Sequence, residues 1–394
     1  MLNIRSRLLG ALGIVSLMFM VYSGYIKWIP GLFMDPFIFF SIVLFVSIIF
    51  SGFRNNIKKE TLAIGSILLL FFFWAFISTI WGASQVYYIE KIKKSLVLVI
   101  CFFSPFFVLR TEKRVSVFIM LFHWLTFLTA TAIFTLFIIY GDLFFQLYGD
   151  SPADELLIPD YLALGVLLSS GFILAIQKTG KIWLIYKTFL IISIILLAPR
   201  GPLLTLGLFT LVYYTTNGKF KLYMAIYMLI AGLFVLYLGE GLTDRLIARF
   251  SGISDTNSSA FSSVGSRIQL LNSAVDYFMD SPFAGIGYGS FGVKFTGLED
   301  RIEPHNILFE IAAETGLVGI VLFFIFILWV SFYAIRKKIN NDASPNPLII
   351  LFLYLIIQSL STTYLVDSKA LFLWLSVLIC ILSKSKNIVE GDSN

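Results

Sequence analysis

Long apolar runs separated by short polar stretches dominate the chain. They fall at 8–26, 36–53, 61–81, 95–109, 115–140, 160–177, 182–199, 203–216, 222–238, 315–334, 347–366 and 369–383. A helix needs about 20 apolar residues to cross a hydrocarbon layer roughly 30 Å thick. The pattern therefore predicts an all-α polytopic membrane protein with about 12 transmembrane helices. The runs at 95–109, 203–216, 222–238 and 369–383 are short, which predicts tilted or partly re-entrant helices. The period-two alternation of a membrane β-barrel is missing. The first run follows Arg5 and Arg7, as in a signal peptide, but lacks a clear small-residue cleavage site and reads as a retained helix.

Composition narrows the class further. Of the 394 residues 58% are apolar and only 13% charged, and Phe alone contributes 41. A water-soluble fold could not hide that much apolar surface. This argues against a soluble enzyme, a disordered chain, a secreted disulfide scaffold and a nucleic-acid-binding domain. Cys101 and Cys380 both lie in apolar runs, so neither a disulfide nor a metal site is suggested. The net charge of +6 is best read by side. With both termini cytoplasmic, 18 of the 29 basic residues and 5 of the 23 acidic ones fall inside, giving +13 inside and −7 outside. Lys91, Lys93 and Lys94 dissent, since they fall outside. They are expected on an amphipathic helix along the interface, close to anionic lipid heads.

This topology divides the chain into helices one to nine (1–238), a large extracytoplasmic loop containing short helices (239–314), and the last three helices with a cytoplasmic tail (315–394). A smaller outer loop, 141–159, is acidic (Asp142, Asp150, Asp154, Glu155, then Asp160). Its spacing matches no metal-ligand pattern and reads as a solvated loop. In the large loop, Ser266–Asp280 places apolar residues at 268, 270, 271, 274, 275 and 278, a helical stripe. Ser281-Pro282 ends it, and Gly285-Ile286-Gly287-Tyr288-Gly289 follows as a turn-rich run. Glu303-Pro304-His305-Asn306 then opens a second helical stretch, with Pro304 at a position where its missing N–H costs nothing. Glu310 and Glu314 lie one turn apart near the tenth run, and carboxylates at that depth are costly enough to suggest a role. The glycine run lacks the preceding strand of a dinucleotide site, and there is no phosphate-loop signature. His123, beside Trp124 in the fifth run, reads as an interhelical polar residue.

Taken in order, these pieces carry a resemblance. Ser266-Arg267 opening a helix, then DSPFAGIGYGSF, then PHNILFEIAAETGLVG before a membrane helix, is similar to the O-antigen ligase and polymerase superfamily of bacterial membrane glycosyltransferases. The short Ala198-Pro199-Arg200-Gly201-Pro202-Leu203-Leu204 resembles the family's Ser-Arg-Gly element, with Ala198-Pro199 in place of the usual small polar residue. The resemblance implies transfer of a glycan from undecaprenyl pyrophosphate to a hydroxyl, at the periplasmic side of the bacterial inner membrane, without metal or cofactor. Two acceptors fit. One is the sugar of another lipid-linked repeat unit, as in an O-antigen or capsule polymerase, which is the favoured reading. The other is lipid A-core, as in an O-antigen ligase. Membrane lipids and a chain-length regulator protein are the implied partners, and nucleic acid is not.

The implied roles follow from chemistry. Arg200 and Arg267 suit the pyrophosphate, because a guanidinium fork grips phosphate oxygens and stays charged. His305 would meet the acceptor hydroxyl or the bridging phosphate oxygen, as base or as cationic donor. Gly285, Gly287, Tyr288, Gly289, Asn306, Glu310 and Glu314 are the further substrate-side candidates. For the glycines, a close backbone approach to the glycan or to a neighbouring helix is open. For the glutamates, orienting His305, Asn306 or an arginine is favoured over direct catalysis. A lipid-linked-sugar flippase is the rival class. It should show paired inverted repeats and broken helices at mid-membrane, and the sequence shows no such pairing.

Overall fold

The computed structural model describes residues 2–26, 35–51, 58–141, 161–197, 200–216, 259–339, 347–361 and 364–384. Their regular elements are all helical: α1 (Leu2–Ile26), α2 (Pro36–Ser51), α3 (Lys59–Ser78), α4 (Tyr87–Val108), α5 (Glu112–Tyr140), α6 (Tyr161–Leu174), α7 (Lys181–Leu197), α8 (Arg200–Thr216), α9 (Ser259–Asp280), α10 (Phe291–Thr296), α11 (Ile307–Ile339), α12 (Pro347–Ser359) and α13 (Lys369–Lys384). Two 3₁₀ turns, Thr79–Trp81 and Leu365–Asp367, follow α3 and precede α13. Every apolar run that falls on described residues contains a helix. The expected helix 222–238 and the acidic loop (Asp142, Asp150, Asp154, Glu155, Asp160) lie outside the described residues.

Among the described residues, three helical stretches are long and apolar enough to cross a bilayer, Lys59–Trp81, Glu112–Tyr140 and Ile307–Arg336. The expectation was about twelve. The shorter apolar helices, such as Pro347–Ser359 and Lys369–Ser383, fall below that length. One reason is visible at α12. It ends at Ser359, whereas the apolar run continues to 366 through a backbone that is extended at Tyr364 and 3₁₀ beyond it. Large apolar side chains face outward, including Phe73 (61% exposed), Leu328 (63%) and Phe332 (63%), as lipid contact requires. Several helical hydroxyls are satisfied internally: Thr129, Thr131, Ser170 and Ser331 each donate to the carbonyl four residues back.

The chain forms two compact units, each assembled from separate segments. The first comprises 1–47, 116–262 and 344–358. In it Ser47 donates to the Leu9 carbonyl at 2.6 Å, joining α2 to α1, and Gln358 of α12 donates to the Gly201 carbonyl of α8 at 3.1 Å. His123 lies in its interior. Its Nδ1 is 3.0 Å from the Tyr186 hydroxyl, which also meets Thr126 Oγ1 at 2.7 Å. His123 thus links α5 to α7 as an interhelical polar residue.

The second unit comprises 48–115, 263–343 and 359–394. Here α11 packs along α3, and α13 along α4. Phe326, fully buried, centres an aromatic cluster with Phe102 (5.7 Å between centroids), Phe323 (6.4 Å) and Phe372 (6.1 Å, stacked). Lipid is as apolar as these rings, so close packing rather than escape from water holds the helices together. Each favourable aromatic pair adds about 0.5–1.5 kcal/mol. Phe326→Ala should therefore destabilise the solubilised protein by about 3–5 kcal/mol, read as a lowered thermal midpoint. Leu328→Ala, two residues away and facing outward, should leave the midpoint unchanged.

Candidate functional site

The site region of the second unit begins with a break in α11. Gly316 has φ 65° and ψ −162°, a conformation that L side chains rarely adopt, in the middle of an otherwise helical segment. A break deprives carbonyls before it and amides after it of their helical partners. The turn Ser281–Ser290 supplies replacements. Ile286 N–H donates to Ala313 O (2.9 Å) and Gly287 N–H to Glu314 O (3.0 Å), while Leu317 N–H donates to Pro282 O (2.7 Å). The Trp74 indole of α3 donates to Thr315 O at 2.9 Å. The turn threads into the gap so closely that a Cβ on Gly316 would lie 2.5 Å from the Phe283 carbonyl carbon, and one on Gly285 2.4 Å from that of Glu314. Gly287 and Gly289 press in the same way on Gly82 and Tyr88. The close approach of the glycine run is to protein backbone.

A buried ion cluster lies beside this turn. Lys91 of α4 is fully buried, and its ammonium is 2.7 Å from carboxylates of Glu303, Glu310 and Glu314. The Glu310 contact lies off the direction of a hydrogen bond and is charge–charge only. The Tyr288 ring stands 4.9 Å from the same ammonium, and its hydroxyl meets Ser95 at 2.5 Å. Three carboxylates around one ammonium leave a formal excess of negative charge, and neutral donors meet part of it. Tyr87 OH donates to Glu303 (2.9 Å), Leu365 N–H to Glu310 (2.8 Å) and Phe291 N–H to Glu314 (3.3 Å). Burial pushes the Glu303 carboxyl up, but the charge and hydrogen bond of Lys91, the Arg301 charge and the Tyr87 hydrogen bond together outweigh it and hold the group below its ordinary range. Nearby, Glu299 accepts from Gln85 N–H, Tyr87 N–H and Ser84 Oγ at the start of α4. Burial opposes ionisation there, and these bonds together overcome it and bring the carboxyl down to about 2.

This corrects the expectation for Lys91, which is a buried anchor and not an interfacial lysine. Lys93 is exposed, and Lys94 pairs on the surface with Glu90. The two pairings predict opposite outcomes. Lys91→Ala strands buried carboxylates and should cost about 3–5 kcal/mol. Lys94→Ala removes a pair that is partly exposed and should cost about 0–1 kcal/mol. Thermal unfolding of the two solubilised variants compares them directly.

From this cluster the chain runs through Pro304 to His305. Asn306 caps α11: its Oδ1 accepts from Leu308 N–H (2.9 Å) and Phe309 N–H (3.3 Å), and its Nδ2 donates to Leu360 O (2.7 Å). His305 Nε2 lies 3.2 Å from the Tyr364 hydroxyl with ring centroids 4.8 Å apart, and Nδ1 is buried with no partner among the described residues. Arg301 stands 5.3 Å over the Tyr364 ring and forms an ion pair with Asp367. Burial, and then the positive charge of Arg267 on α9, hold the imidazole below its ordinary value against the opposing pull of Glu303. Arg267 is half-buried and has no salt-bridge partner among the described residues. Its helix packs through Leu270, Ala274 and Tyr277 against Phe291 and Ala313. Ile268 and Val275 of the expected stripe remain exposed. An imidazole biased towards its neutral form within electrostatic reach of a guanidinium can accept a proton next to a bound anion.

Residues 187–324, from α7 into α11, match the family model described as O-Antigen ligase. The curated O-antigen polymerase of Salmonella muenchen is 26% identical over 179 residues, covering 43% of this chain and 44% of that protein. Both support the O-antigen ligase and polymerase superfamily. The aligned stretch spans less than half the length of either chain. The superfamily match contains Arg200, Arg267, the glycine run, His305 and both glutamates.

Within this matched segment the structure brings Arg267 and His305 into electrostatic reach of each other. Glu310, Glu314 and Tyr288 are joined instead around Lys91. Asn306 spends its side chain on the helix cap and on Leu360. Arg200 opens α8, but its side chain lies outside the described residues, as do Ala198 and Pro199. Sequence reasoning missed Lys91, Glu303, Arg301 and Tyr364. A lysine one turn ahead of an apolar run was a usable signal for Lys91. Tyr364 gave none, being one aromatic in a chain that is 17% aromatic.

Proposed function

We propose that this membrane-integral protein is an O-antigen or capsule polymerase, transferring a glycan from undecaprenyl pyrophosphate to the sugar hydroxyl of another lipid-linked repeat unit. The observation that carries the reading is His305, an imidazole biased towards its neutral form within electrostatic reach of Arg267, on the segment joining the glycine turn to α11. The acceptor oxygen bonds to the anomeric carbon as the carbon–oxygen bond to pyrophosphate breaks, and its electron pair leaves with the phosphate. The acceptor hydroxyl must lose its proton, and His305 is the residue assigned to take it. Arg267 offsets charge growing on the pyrophosphate, an interaction that strengthens in the transition state. Arg200 is assigned the same substrate on the resemblance of its motif alone. The reaction is proposed to need no metal, to face the periplasm of the bacterial inner membrane, and to be paced by a chain-length regulator. The name of the Salmonella relative supports the polymerase.

The family description favours a second acceptor, lipid A-core, which would make the protein an O-antigen ligase. Deleting the gene and separating the lipopolysaccharide on a gel distinguishes the two. Core carrying a single repeat unit is the expected outcome, whereas bare core, with long chains stranded on the lipid carrier, would establish the ligase. Complementing the deletion with Arg267→Ala or His305→Ala should fail although each protein is inserted. Normal long-chain polysaccharide from either variant would remove that residue from the site.

A further inference from the structure

The geometry points to a second proton-handling residue. Of the two nitrogens of His305, Nδ1 is buried without a partner among the described residues, and Nε2 faces the Tyr364 hydroxyl at 3.2 Å. A proton arriving at Nε2 from a bound substrate therefore meets Tyr364 first. Tyr364 is only half-buried, so its phenol retains an approachable side. The residue is also held in place. Its ring packs on the imidazole at 4.8 Å, tilted by 33°, and Arg301, tethered by Asp367, stands 5.3 Å over it. Burial and the Glu303 charge oppose ionisation of this phenol more than Arg301 favours it, so the hydroxyl keeps a proton that it can pass on. Holding the ring on one side with an imidazole and bracing it with an ion-paired arginine is more than packing requires.

We propose that Tyr364 is the residue that touches the acceptor hydroxyl, acting as one unit with His305. The inference rests on the placement of His305 in the transfer site. As the acceptor oxygen bonds to the anomeric carbon, its proton moves to Tyr364 Oη and the phenolic proton moves to His305 Nε2. The electron pair of the broken carbon–oxygen bond leaves with the pyrophosphate. The imidazolium then returns its proton to water, and the phenol is never left charged. The groups facing His305 bear on this cycle: Arg267 from α9 disfavours the imidazolium, and Glu303 from its own loop favours it. Arg301 and Asp367 flank Tyr364.

The test uses the full-length protein in detergent, with a lipid-pyrophosphate-linked repeat unit as donor and acceptor. Tyr364→Phe keeps the ring and its packing and removes only the hydroxyl. The expected result is a fall in kcat of about 100-fold with KM nearly unchanged, as for loss of a general base. His305→Ala should fall to a similar extent, and the double variant should be no slower than the worse single, because residues acting as a unit are not additive. Wild-type activity should hold at about pH 6.5, the ordinary histidine value, and decline only below it, because burial and Arg267 disfavour the imidazolium, and Tyr364→Phe should lose that dependence. Tyr364→Phe retaining half or more of wild-type kcat, or exceeding it, would overturn the proposal, as would multiplicative effects in the double variant. Should Tyr364→Phe lose its thermal midpoint, Arg301→Ala gives a second reading: a fall in kcat without a KM change supports the pair, and unaltered kcat contradicts it. Full activity in His305→Ala would instead overturn the underlying site assignment.

Discussion

The break in α11 at Gly316 constrains much of what surrounds it. In a medium poor in water an unpaired peptide group is costly, so a helix that breaks needs partners for the carbonyls and amides it releases. The turn Ser281–Ser290 provides them from its own backbone, and Trp74 provides one more. Backbone can reach backbone at that range only where side chains are missing, which explains why glycine stands at both Gly285 and Gly316. The turn's lodging in α11 in turn fixes where the following segment, α10 and the loop to His305, enters the fold.

Charge secures the same junction a second time. Lys91 draws together α4, the loop through Glu303 and the first turns of α11. Through hydrogen bonds to those carboxylates it also reaches the start of α10 and the 3₁₀ turn at Leu365. A buried cluster of this kind is weak evidence for stability but strongly penalises loss of a partner. The consequence for function is geometric. Glu303 lies two residues before His305, and Leu365 one residue after Tyr364. The cluster therefore holds both segments that bring the imidazole and the phenol together.

How far this could be read from the sequence follows from the range of each interaction. Apolar runs report local burial, and helices stand at every such run on described residues. Ser281-Pro282 and the glycines announce a turn, because their backbone preferences are local. What the turn presses against is not local, and Glu314 lies 29 positions beyond Gly285. Lys91 pairs with carboxylates more than 200 positions away, so charge patterning alone placed it at the membrane interface with Lys93 and Lys94. Tyr364 sits within an apolar run, where nothing distinguishes a proton-handling phenol from a packing one. His305 and Arg267 were singled out because the resemblance rests on residues in their own segment, and the structure brings the two into electrostatic reach.

Hydrogen exchange on the full-length protein tests the central claim most directly, that the glycine turn completes the broken α11. The amides of Ile286, Gly287 and Leu317 donate across the break, so they should exchange about as slowly as amides in the middle of α3. Exchange of these three at the rate of an open surface loop would contradict the account.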